Sequence, residues 1–234
     1  MTKCALNGLA CVAVLASCAA PQPPASPTPE LAAMEARCDT LADVDIRRVP
    51  AEPPDWSWVE PLHQRARQGE RPPPQGMPIV KVAIPAAGIG APRFDFSIWA
   101  ARQPDGTWLV SKARHLAVPP PPQGPQDFDA QGRQKLDPAL RGGIFSEGRL
   151  QPAAARQLDL ALRSNCLARQ PRVQPDPLPQ KGGGELPCPP DAGSMHALEI
   201  VTQSASRRYV HHCSREWASG HIIILLESSP LSPV

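Results

Sequence analysis

The chain has 234 residues, enough for one domain of ordinary size, and carries a formal net charge of +2. So small a charge, with arginines scattered among carboxylates, argues against a nucleic-acid partner, which would need a basic face. Proline is the unusual residue, 32 in all, gathered in runs that cut the chain into blocks.

Residues 1–17 have the parts of an export signal: a short head with Lys3, an apolar run from Leu9 to Ala16, and small residues before a cut. The run is too short to span a bilayer, which needs about 20 apolar residues. The quartet Leu15-Ala16-Ser17-Cys18 resembles the lipobox of bacterial lipoproteins. The resemblance covers the first eighteen residues only. It implies that the Cys18 sulfur receives a diacylglycerol, that the signal is cut just before Cys18, and that the new amino terminus is acylated as well. It further implies a protein held at the cell envelope by acyl chains of the palmitate kind. Ala19, in place of an acidic residue, leans toward the outer membrane with the domain facing the periplasm.

Residues 18–29 form a lipidated cysteine and a proline-rich tether; the eleven residues after Cys18, in extended geometry, would hold the domain about 30 Å from the headgroups. A single α+β domain is expected over 30–234. In an exported protein the cysteines left after Cys18, namely Cys38, Cys166, Cys188 and Cys213, are an even set that would close two disulfides, with three pairings open.

In chain order, Glu30 to Cys38 is rich in helix formers, with Thr28 as cap and Pro29 at the first helical position. Residues 49–78 show no sustained period; Trp56 and Trp58, two apart, point the same way if extended, and packing over the core is their expected fate. The β-branched run Ile79 to Ile84, the alternation of Arg93 to Ala101, and the turn Pro104-Asp105-Gly106 before Thr107 to Lys112 predict an antiparallel meander. Residues 119–148 are expected as a long polar loop, although Gly143 to Gly148 superficially resembles a nucleophile elbow with the wrong spacing. Pro152 starts a helix in which Leu158, Leu162 and Cys166 recur every fourth residue, and Pro171 ends it. A second long loop is expected over 171–190.

A hairpin follows, Met195 to Ser204 and Arg207 to Cys213; a turn centred on Ala205-Ser206 sets Leu198 opposite Cys213, Ile200 opposite His211 and Glu199 opposite a solvent-facing His212. The run Ile222 to Leu226 fits a buried strand or the core face of a closing helix. The whole predicts an α+β domain, an antiparallel sheet of about five strands with two or three packed helices, proline-rich loops and two disulfides.

Catalytic signatures such as G-x-S-x-G, S-x-x-K, H-E-x-x-H or a phosphate loop with lysine do not occur. The one cluster with ligand chemistry is His196, His211, His212 and Cys213, with Glu199 and His221 nearby in sequence, but alternation separates His211 from His212. These features point to a lipid-anchored accessory or interaction protein without catalysis or cofactor, whose partners are the membrane and an envelope protein. The competing readings are an envelope hydrolase acting on cell-wall or polysaccharide material, and a metal-binding lipoprotein.

Overall fold

The computed structural model of the chain describes residues 44–49, 55–67, 72–86, 93–119, 122–135, 144–174, 178–186, 195–212 and 217–234. The signal, the lipobox, the tether, the helix expected at 30–38, and Cys38, Cys188 and Cys213 lie outside them.

Strands β1 (Ile79–Ile84), β2 (Arg93–Arg102), β3 (Trp108–Val118) and β4 (Ile144–Leu150) form an antiparallel meander. Strands β8 (His196–Val201) and β9 (Ser206–His211) extend it from β1. Two-residue strands close the edges, β5 (Val173–Gln174) beside β9 and β10 (Leu231–Ser232) beside β4. The order is β10-β4-β3-β2-β1-β8-β9-β5, while β6 (Leu178–Pro179) and β7 (Glu185–Leu186) make a separate pair.

The expectation of about five antiparallel strands is therefore corrected: eight strands form one mixed sheet, with β5 parallel to β9. Among the described residues four helices accompany it, not two or three: α1 (Val59–Arg67), α2 (Pro152–Arg163), α3 (Asn165–Arg169) and α4 (Ala218–Ser228). Two further expectations fail. Strand β4 begins inside the stretch expected as loop, and α1 occupies a segment expected to be irregular. Pro61 is tolerated there because it lies in the first turn, where its missing N–H has no helical partner to lose.

Alternation sorts the sheet into two faces. One face presents Val80, Val82, Ile98, Ala100, Trp108, Val110, Leu198 and Ile200 to α2, α3 and α4. Helix α4 settles the ambiguity of its apolar run: Ile222, Ile223, Leu225 and Leu226 are all buried there. Lys112 ends it, its Nζ donating to the carbonyls of Glu227 at 2.9 Å and Ser229 at 2.8 Å, a cation where the helix dipole is negative. Gly148 permits β10 to cross closely: a Cβ there would lie 2.5 Å from the Ser232 carbonyl oxygen.

The long helix expected from Pro152 until Pro171 breaks at Ser164. That residue turns to extended geometry, and its Oγ accepts from the Cys166 N–H at 3.0 Å, capping α3. Cys166 is buried and disulfide-bonded, its partner being outside the described residues.

On the second face, small side chains make room for α1. Ser97, Ala83 and Ala197 lie in one cross-strand row, and Val59 and Leu62 pack against Ala83 and Ala197, with Trp56 and Trp58 alongside. Among the described residues no helix is long and apolar enough to cross a membrane.

Candidate functional site

The hairpin register differs from the expectation by four residues. Leu198 pairs with Tyr209, Ile200 with Arg207 and His196 with His211, while Thr202 to Ala205 form the turn. The turn needs no glycine because the Thr202 hydroxyl serves it, donating to the Ala205 carbonyl at 3.0 Å and accepting from the Ala205 N–H at 3.1 Å. An even shift preserves facing, so the inward side chains remain inward. Glu199, expected to face solvent beside His212, instead lies opposite both Lys81 and Arg208. It accepts from Lys81 Nζ at 2.9 Å and from Arg208 Nε and Ser206 Oγ at 3.0 Å each. Burial works to raise its carboxyl, but those three donors outweigh it and hold the group below the usual range.

Two serine–histidine contacts emerge that no sequence motif marks. In the first, the Trp99 indole donates to His63 Nδ1 at 3.2 Å, and Ser97 Oγ lies 2.7 Å from the same nitrogen. An indole can only donate, so Nδ1 is the acceptor and the ring proton sits on Nε2. Burial above all, with the charges of Lys81 and Arg67 against that of Glu199, pushes His63 down to about 4. The ring is neutral at pH 7. Arg67 adds a bond from Nη1 to Ser111 Oγ at 2.8 Å and lies over the Trp99 ring at 5.7 Å.

In the second contact, Ser219 Oγ lies 2.5 Å from His211 Nε2, and His211 Nδ1 lies 2.6 Å from Gln174 Oε1. Gln170 Nε2 donates to the same serine oxygen, and the Ser219 N–H donates to Gln170 Oε1 at 3.2 Å. The serine hydroxyl therefore donates to Nε2 and Nδ1–H donates to Gln174, the order of a nucleophile, base and orienting group with an amide in the carboxylate's place. Both serines are fully buried, however, at 0 % exposure, and His63 and His211 are buried with them at 2 % and 3 %. These contacts tie α1 to β2, and α4 to β5 and β9, in the interior.

Among the ligands considered for a metal, His196 and His211 pair across the hairpin on the helix-covered face, and both ring nitrogens of His211 are already engaged. Among the described residues no three potential ligands gather. Trp56 packs at the cluster around Leu62, with Arg208 over its ring at 5.1 Å.

Open space lies elsewhere. A cavity of about 350 Å³ opens between the β8–β9 turn, the end of β2, and helices α2 and α3. Arg102, Asp159, Arg163, Arg207 and Ser204 supply its polar wall. Leu162, Leu167 and Ile200 supply its apolar floor. Asp159 and Arg163, four apart on α2, share a helix face, and Arg207 stands opposite Ile200 in the hairpin. Asp159 is fixed from behind: the indole of buried Trp108 donates to its Oδ1 at 3.1 Å, and Arg102 Nε is 3.2 Å from the same oxygen, within ion-pair distance. Arg207 leans toward Tyr209, whose phenol burial pushes up, against the Arg207 charge; its hydroxyl donates to the Leu167 carbonyl at 3.0 Å. The sequence offers no motif for this site, because its residues come from four separate segments.

Compared with protein-family models, curated proteins and solved structures, the chain matches none.

Proposed function

We propose that the chain is an exported lipoprotein of the cell envelope, acylated at Cys18, whose folded domain has an accessory or interaction role without catalysis. The anchor is supported by the order of basic head, apolar run and Leu15-Ala16-Ser17-Cys18. Two or more acyl chains hold a protein at a membrane where one would let it go. The placement at the outer membrane, facing the periplasm, rests on Ala19 after the acylated cysteine.

The observation that carries the non-catalytic role is the closure of both serine hydroxyls: Ser97 and Ser219 have the histidine neighbours a nucleophile needs, and both are wholly buried. A nucleophile must meet its substrate, with a reacting atom about 3 Å away. The hydrolase alternative draws on the Ser219–His211–Gln174 order, and the burial of all three side chains opposes it.

The test is affinity capture of the full-length, acylated protein from detergent-solubilised envelopes, beside incubation of the same preparation with purified cell-wall material. A partner recovered in fixed ratio, with no soluble fragments released from the wall, is the expected result. Release of wall fragments that a Ser219→Ala variant fails to produce would replace this reading with the hydrolase one.

A further inference from the structure

From the cavity beneath the β8–β9 turn we infer a binding site for a phosphate monoester carrying a small apolar substituent. The inference stands on the cavity alone and not on the anchor. Its wall sets three guanidinium groups, of Arg102, Arg163 and Arg207, against one carboxylate, Asp159. Asp159 is engaged by Arg102 and by the Trp108 indole. Among the described residues no carboxylate lies within ion-pair distance of Arg163 or Arg207. Two positive charges are thus left for an incoming group.

A phosphate monoester is close to a dianion at neutral pH and offers three acceptor oxygens, which matches two forked guanidinium donors in charge and geometry. The Ser204 hydroxyl lines the same wall. The floor beside it is apolar, with Leu162, Leu167 and Ile200, so an apolar body attached to the phosphate removes hydrocarbon surface from water on both partners. A volume of about 350 Å³ is near the lower end for small-molecule sites, which limits that body to a few carbons or one chain end. The Trp108 indole fixes Asp159, whose carboxylate pairs with Arg102, so this part of the wall is ordered before any ligand arrives, which reduces the ordering cost of binding.

The same headgroup occurs on soluble esters and on acidic lipids, and two probes separate the sources. Full-length acylated protein in a neutral detergent is titrated with n-butyl phosphate, dihexanoyl phosphatidic acid, inorganic phosphate and n-butanol, with binding followed by calorimetry. Butyl phosphate is expected to bind roughly tenfold or more tightly than inorganic phosphate, and butanol not measurably. Arg163→Gln and Arg207→Gln should each weaken binding by about tenfold. Arg133→Gln, at an exposed pair with Asp129 in another loop, should leave it unchanged. Unaltered urea midpoints in the two cavity variants would keep misfolding out of the comparison. Tighter binding of the phosphatidic acid, with the same arginine dependence, would assign a lipid source; preference for butyl phosphate would assign a soluble ester. If neither ester binds, or if both variants bind as wild type does, the site does not exist as described.

Discussion

Replacing Trp108 by alanine is expected to lower the unfolding free energy by about 3–5 kcal/mol, the range for removing a large buried aromatic. Trp108 is wholly buried at the start of β3, among the side chains that join the sheet to α2 and α4. Its removal opens a void and also deprives the Asp159 carboxylate of the indole donor. Trp108→Phe separates the two effects, since it keeps most of the ring and loses the N–H. That variant should lose about 1–2 kcal/mol, the scale of one hydrogen bond to a charged acceptor with a modest packing change. Urea unfolding under non-reducing conditions measures both. A loss under 1 kcal/mol for Trp108→Ala would show that this side chain does not anchor the helices to the sheet.

Acid should destabilise the fold through His63. Its pKa in the folded chain is about 4, below an ordinary value of 6.5. Between those values the unfolded chain binds the proton and the folded chain does not. Stability is therefore complete above pH 6.5 and falls as the pH drops toward 4, by about 3 kcal/mol over the whole window. Burial away from water disfavours the charged ring most, the charges of Lys81 and Arg67 add to it, and Glu199 only partly offsets them. Glu199 itself loses its contribution below its own unfolded value of 4.5, so measurements above that pH isolate the histidine from it. Urea midpoints for wild type and His63→Gln between pH 7.5 and 4.5 should show a shallower slope in the variant. Parallel slopes would mean that His63 is not the group being titrated.

The meander was readable because its alternation is clean and its inner residues are β-branched, so β1, β2 and the start of β3 stood out from the sequence. Strand β4 was missed: in Ile144-Phe-Ser-Glu-Gly-Arg-Leu150 a glycine admits the crossing of β10, and Ile144 remains exposed, which hides the strand inside a polar stretch. Strands β5 and β10 have two residues each and carry no period at all. They owe their place to the strands beside them, which is why the size of the sheet and its parallel edge could not be anticipated. Helix α1 did leave a signal. Val59, Leu62, His63 and Ala66 fall at i, i+3, i+4 and i+7 and are all buried, a pattern obscured by Pro61 and by the neighbouring prolines.

The site residues divide in the same way. His63 could have been found from the helical stripe that carries it, whereas its contact with Ser97 depends on a small residue 34 positions away. Pairing of Glu199 with Lys81 follows from strand order across β1 and β8, so no local pattern predicted that Glu199 would be drawn from solvent. Arg102, Arg163 and Arg207 are ordinary surface residues in the sequence, and only the meeting of α2 with the β8–β9 turn makes them one wall.

The anchored state is tested most directly by mass spectrometry of the amino-terminal peptide of the mature protein extracted from its native membranes. The expected peptide begins at Cys18, with a diacylglycerol on Sγ and a further acyl chain on the amine. A mature protein that begins at any other residue and bears no acyl group would contradict the anchor, and with it the assignment to the cell envelope.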